Sequence, residues 1–128
     1  MDRVKKHIET EWSAVQEKIS SALLSDIDLL NSTNRSILSN SGKQLRPLLA
    51  ILFARLCTGG RSSEATVRYA AASELLHNAT LLHDDVADDS DKRRGVPTVK
   101  SLMGPSVSVL VGDYWLVKAV EQILGADQ

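Results

Sequence analysis

Residues 63–91 read SEATVRYAAASELLHNATLLHDDVADDSD. No Gly or Pro interrupts the stretch, and Ala, Leu and Glu favour a helix throughout. A serine hydroxyl ahead of Glu64 supplies an N-cap and a first-turn acid, so Arg61-Ser62-Ser63-Glu64 opens a long helix running from about residue 63 to residue 88 or 89. At about 100° per residue, His77, Asp84 and Asp88 fall on one line of that helix, with Asp85 beside them. Leu75, Ala79, Leu82 and Val86 fall on the other flank. One helix is therefore predicted to be apolar on one side and to carry a column of carboxylates on the other.

Five carboxylates occupy the eight positions from Asp84 to Asp91. Asp84 and Asp88 face each other across one turn, where like charges repel by about 0.2–0.5 kcal/mol on an isolated helix. A divalent cation between them reverses that sign. Magnesium suits such a pair, because it takes oxygen ligands from one or two carboxylates and completes its shell with substrate phosphates. An EF-hand is excluded: counted from Asp84, position three is Val86 and position six is not Gly. A di-iron bundle site needs Glu-x-x-His pairs, and Glu74 to His77 is a single copy. An acidic helix end is most often a solvated face. Here it is followed at once by Lys92-Arg93-Arg94-Gly95, so phosphate-binding cations stand beside the acids.

In the rest of the sequence helical periodicity dominates and no run alternates as a half-buried strand does. A first helix is predicted over about residues 2–20, with Val4, Ile8, Trp12, Val15 and Ile19 on one stripe. A shorter one follows over about 21–30. The Ser- and Asn-rich segment 31–41 reads as a loop. Pro47 marks the first turn of a helix that starts near Leu45 and stops before Gly59-Gly60. Residues 90–96 read as a polar connection. Gly104-Pro105 starts a last helix that runs to about Leu124, and its Val107, Val109, Leu110, Val111, Trp115 and Leu116 suit either core or interface.

The 128 residues suffice for a single helical unit with a real core. A net charge of −1 is not that of a nucleic-acid-binding domain. The lone Cys57 forms no internal disulfide or zinc site, which points to a reducing, cytoplasmic setting. No window approaches the roughly 18 apolar residues of a membrane span, and residues 1–10 are too polar for a secretory leader.

A basic element, Ser41-Gly42-Lys43-Gln44-Leu45-Arg46-Pro47, opens the helix at Leu45. Helix N-termini attract anions, and Lys43 and Arg46 are placed to flank one phosphate group. The segment is not a Walker A loop, since the upstream Gly and the hydroxyl residue after the Lys are missing.

Taken in order, Gly42-Lys43-Gln44-Leu45-Arg46-Pro47, Glu74-Leu75-Leu76-His77, Leu82-His83-Asp84-Asp85-Val86-Ala87-Asp88, Arg93-Arg94-Gly95-Val96-Pro97-Thr98 and Gly112-Asp113-Tyr114 resemble the trans-type isoprenyl (polyprenyl) diphosphate synthase family. Order and spacing agree from about residue 40 to residue 118. The resemblance implies an all-α antiparallel bundle of the isoprenoid synthase type, usually homodimeric, that condenses an allylic diphosphate with isopentenyl diphosphate. It implies that Asp84, Asp85 and Asp88 form the first aspartate-rich motif and bind magnesium, Asp84 and Asp88 most directly. It makes Lys43, Arg46, His77 and Arg94 contacts to isopentenyl diphosphate, and Arg93 a contact to the allylic diphosphate. In this family bulky residues four and five places before the first Asp tend to block the tail pocket. Those positions are Thr80 and Ala79, both small, so a product longer than farnesyl diphosphate is expected.

Gln44 and Ser41 depart from the family pattern, which often has a basic residue and Gly there. Asp113 receives no catalytic role and is expected to make a structural hydrogen bond. The family's second aspartate-rich motif does not occur before Gln128. The chain is therefore expected to be the N-terminal part of a prenyl transferase, inactive alone. The alternatives are one subunit of a two-chain synthase and a non-catalytic helical interaction module.

Overall fold

The computed structural model describes residues 2–60 and 63–126 and is built almost wholly from helices. Helix α1 (Asp2–His7) and helix α2 (Glu9–Leu23) meet at Ile8, which leaves helical geometry at φ −117°. The predicted first helix is thus two, and its stripe survives the break: Ile8, Val15 and Ile19 are buried, Trp12 is partly so, and Val4 stays exposed.

Helix α3 (Asp28–Ser39) overturns the expected pairing of a helix over 21–30 and a loop over 31–41. Residues 24–27 form the turn instead, clamped by Asn31, whose Oδ1 accepts from the Ser25 N–H at 2.9 Å while its Nδ2 donates to the Ser25 carbonyl at 2.9 Å. Asn34 is buried, and its Oδ1 accepts from the Trp115 indole N–H at 2.8 Å. Ser and Asn disfavour helices because their side chains compete for the local backbone. Here two Asn side chains are occupied by a turn and by a residue 81 positions away, so that competition is removed.

Helix α4 (Leu45–Thr58) carries Pro47 in its first turn and ends at Gly59 in left-handed geometry, φ 72°. Helix α5 (Glu64–Ala87) begins on Ser63, whose hydroxyl accepts from the Thr66 N–H at 3.2 Å. Arg61 and Ser62, expected to share in that start, lie outside the described residues. The expected polar connection contains a small antiparallel hairpin, β1 (Lys92–Arg93) with β2 (Val96–Pro97), paired Lys92 to Pro97 and Arg93 to Val96. Arg94 and Gly95 both have positive φ, 52° and 77°, as a two-residue type I′ turn requires. Thr98 then caps a short unforeseen helix, α6 (Val99–Met103), by accepting from the Ser101 N–H at 3.1 Å. Helix α7 (Pro105–Gly125) starts and stops within a residue of expectation.

Helix α5 is the axis: α7 packs along it, and α2 and α4 flank it. The α5–α7 packing is tight at Gly112, where an added Cβ would overlap the His83 ring and press on the Ala79 carbonyl. Beside it His83 Nε2 meets Asp113 Oδ1 at 3.1 Å, the structural contact expected of Asp113. Buried Ser108 donates to the Leu82 carbonyl at 2.8 Å and satisfies the same seam. Val111 and Trp115 turn into the core, whereas Leu110, Val117 and Leu124 remain exposed on the far side of α7. Among the described residues no helix is long and apolar enough to cross a membrane.

Candidate functional site

The C-terminal half of α5 forms one wall of a cavity of about 650 Å³. Its other walls are α3, the start of α4, the hairpin and α6. His77, Asn78, Leu81, Leu82 and Asp85 enter from α5, Arg46 from the first turn of α4, and Arg93 and Arg94 from the hairpin. Residues up to 48 positions apart in sequence, Arg46 to Arg94, thus place three guanidiniums and an imidazole on one space. Leu29, Ile37, Val99, Leu102 and Met103 supply its apolar lining.

The basic turn owes its shape to the two residues that depart from the family pattern. Gln44 adopts left-handed geometry at φ 53°, and its side chain is held at both ends. Its Oε1 accepts from Gln16 Nε2 at 2.5 Å, and its Nε2 donates to Ser41 Oγ at 2.9 Å. Ser41 in turn donates to the Leu38 carbonyl at 2.8 Å. Gly42, φ 77°, presents bare backbone on which the Arg94 guanidinium lies, and a Cβ there would overlap it. Arg93 ends β1 whereas Arg94 is the first residue of the turn, and its left-handed backbone at φ 52° directs its side chain away from that of Arg93. Arg94 is docked on the basic turn, and Arg93 Nη2 donates to Asp85 Oδ1 on α5 at 2.6 Å.

The acids separate into two classes. Asp85 is buried and paired with Arg93, while Asp89 and Asp91 both engage Lys100, the latter at 3.0 Å. Asp84 and Asp88 are exposed, and among the described residues neither side chain has a hydrogen bond or ion pair. The two carboxylates at i and i+4 are therefore the ones left without a protein cation. That donor set, hard oxygens on one helix face beside a cationic cavity, fits a magnesium ion that shares its shell with phosphate oxygens. Among the described residues no three side chains of metal-binding type converge, so two carboxylates are what the chain offers there.

Electrostatics inside the cavity are strongly positive. Burial, reinforced by Arg46, Arg93 and Arg94, holds the His77 imidazole below its ordinary value. The ring is consequently neutral at neutral pH, able to donate one hydrogen bond to an anion and to gain a proton when an anion arrives. Behind it lies Glu74, which sequence reading treated only as a motif letter. It is buried, Asn78 Nδ2 donates to its Oε1 at 3.0 Å, and its Oε2 has no partner. Burial pushes its carboxyl up, against the pull of Arg46. Asn78 was likewise missed, although its position one turn beyond Glu74 put it on the same face.

Of the residues expected to hold isopentenyl diphosphate, Arg46, His77 and Arg94 share the cavity, whereas Lys43 is exposed on the adjoining turn. Ala79 is buried against α7 and Thr80 is exposed, so neither lines this cavity. Gly42→Ala is expected to displace the Arg94 guanidinium and to weaken inorganic diphosphate binding about tenfold, the worth of one charge-assisted hydrogen bond. Calorimetric titration checks this, with circular dichroism confirming unchanged helix content; unaltered affinity would refute the seating.

Three comparisons bear on this geometry. A family model described as polyprenyl synthetase matches residues 27–128. Octaprenyl diphosphate synthase of Escherichia coli (strain K12) is 38% identical over 123 residues, covering 96% of this chain and 38% of that protein. Heptaprenyl diphosphate synthase component 2 of Geobacillus stearothermophilus is 35% identical over 113 residues, covering 88% of this chain and 35% of that protein. Among solved structures, a polyprenyl synthase from Caulobacter crescentus, complexed with calcium and isoprenyl diphosphate, superposes with a TM-score of 0.89 at 35% identity. That match covers 99% of this chain and 38% of the other. The chain thus spans little more than a third of the length of these relatives. With the motifs, the helical architecture and the family model in agreement over most of its length, the chain belongs to the polyprenyl synthetase family.

Proposed function

We propose that the protein is a magnesium-dependent prenyl transferase that joins an allylic diphosphate to isopentenyl diphosphate and makes a polyprenyl diphosphate longer than farnesyl. The observation that carries this reading is the division of the site: three guanidiniums and a neutral histidine around one cavity, and two exposed carboxylates, Asp84 and Asp88, at helical spacing on α5 outside its lining but next to Asp85, which does line it. Binding of isoprenyl diphosphate with a divalent cation in the Caulobacter crescentus relative supports it.

The chemistry needs no side-chain nucleophile. The allylic carbon–oxygen bond breaks and diphosphate departs. The double bond of isopentenyl diphosphate attacks the resulting cation, and a proton is lost from the adjacent carbon. Arg93 faces the departing diphosphate, and preorganised cations of this kind stabilise charge as it develops. Lys43, Arg46, Arg94 and His77 hold the second diphosphate and so fix the attacking double bond in place. Asp84 and Asp88 would hold magnesium, which when bound supplies Lewis-acid stabilisation of the leaving group. Leu81, Leu82, Val99 and Leu102 keep water from the reacting carbons.

The long product is supported by small side chains at Ala79 and Thr80 and by the octaprenyl and heptaprenyl products in the relatives' names. Assembly as a homodimer is supported by the exposed apolar face of α7. The similarity to a protein named component 2 favours, as a second reading, a synthase completed by a different subunit. A cytoplasmic setting agrees with the exposed free thiol of Cys57.

Incubating the full-length protein with geranyl diphosphate, isopentenyl diphosphate and magnesium is expected to give chelator-sensitive chain elongation. Asp84→Ala and Asp88→Ala should each lower kcat/KM by about 10²–10³-fold, as losing a principal electrostatic donor does. Near-normal activity in both would sink the assignment. Residues 1–128 alone are expected to turn over little, because they offer a cation two carboxylates. Product length is best tested at Thr80, since Phe at Ala79 would overpack the α5–α7 seam. Thr80→Phe should shorten the product, and an unchanged distribution would remove that position from the pocket.

A further inference from the structure

We propose that Asp85 is the positioning residue for Arg93 and not a metal ligand, an assignment that rests on the prenyl transferase reading above. The three aspartates of the Asp84 to Asp88 segment are not equivalent in structure. Asp85 is turned about 100° from Asp84 on the helix, and its side chain is only 7% exposed. One of its oxygens already accepts a charge-assisted hydrogen bond from Arg93 Nη2 at 2.6 Å. Asp84 and Asp88 are exposed and unpaired on the neighbouring face.

A carboxylate this buried must be neutralised, and Arg93 is the cation that does it. The pair leaves Arg93 with donors to spare, because a guanidinium carries five N–H groups and this bond uses one. Its side chain remains 42% exposed, so its unused edge is open to an anion in the cavity. The backbone on either side is pinned as well: the Ser90 N–H donates to the Asp85 carbonyl at 2.9 Å, and the Thr98 N–H to the Asp91 carbonyl at 3.0 Å. Arg93 therefore stands on a short hairpin whose base is fixed to the end of α5. The carboxylate of Asp85 sets the direction in which its guanidinium faces, and drawing Asp85 onto a cation would strip that support from the residue placed beside the departing diphosphate.

The test uses the full-length protein and two probes, magnesium alone and inorganic diphosphate alone, each titrated calorimetrically. Asp85→Ala is expected to weaken diphosphate binding about tenfold, while Asp85→Asn, which keeps an acceptor for Arg93, retains most of it. Arg93→Ala should match Asp85→Ala, and the double variant should be no weaker than either, because the two act as one unit. Magnesium affinity should stay within about twofold of the parent in Asp85→Ala but fall about tenfold or more in Asp84→Asn, which loses a ligand. Loss of magnesium binding in both Asp85 variants, or additive losses of diphosphate affinity in the double variant, would overturn the proposal. Turnover of the parent protein is measured in parallel: binding behaviour as described without chain elongation would remove the prenyl transferase reading and leave the pairing of Asp85 with Arg93 standing.

Discussion

A carboxylate buried against the inner wall of a helix needs a cation, and at Asp85 that need organises the whole site. Arg93 meets it from the hairpin at 2.6 Å. Once Arg93 is fixed to α5, the first residue of the turn, Arg94, lies on the bare backbone of Gly42. The hairpin thereby bridges two elements that are otherwise separate, the acidic end of α5 and the basic turn before α4. Arg46 and His77 complete the ring from either side. A space lined by so many cations is unstable without anions, and the neutral state of His77 is one local relief of that excess. On the proposed reading, a diphosphate would supply that relief.

The same economy explains the fate of the other acids. Asp89 and Asp91 are held by Lys100, and Asp85 by Arg93. The formal charge of −1 hides this local matching. What remains unmatched is a pair of carboxylates one turn apart, with Arg46 and Arg94 nearby, a charge pattern that suits the proposed binding of a cation and a diphosphate together. A non-catalytic helical module would have no use for that separation. Its packing would be as well served by neutral residues, since burying charges on one another rarely adds stability.

Much of this was legible in the sequence, and the failures have physical reasons. The long helix was readable because its caps, composition and periodicity agree, and the site residues because their spacing on it places them on one face. Helix α3 was not, because Asn31 and Asn34 lose their helix-breaking character only through partners that local sequence does not reveal, among them Trp115. The hairpin was read as a plain connection because its turn is Arg94-Gly95, where a non-glycine residue at φ 52° is held by its docked guanidinium. The break at Ile8 interrupts a continuous apolar stripe that carries no breaker residue. Helical angle alone put Asp85 beside Asp84 and Asp88, yet burial separates them, and only the packed structure distinguishes a ligand from a support.

The most direct test is a crystal structure of the full-length protein with magnesium and an unreactive allylic thiodiphosphate. On the proposed reading, Asp84 and Asp88 would hold the cation, the diphosphate would lie on the free edge of Arg93, and Asp85 would still be paired to that arginine. A diphosphate bound outside the cavity, or a cation that leaves Asp84 and Asp88 in solvent, would contradict the account.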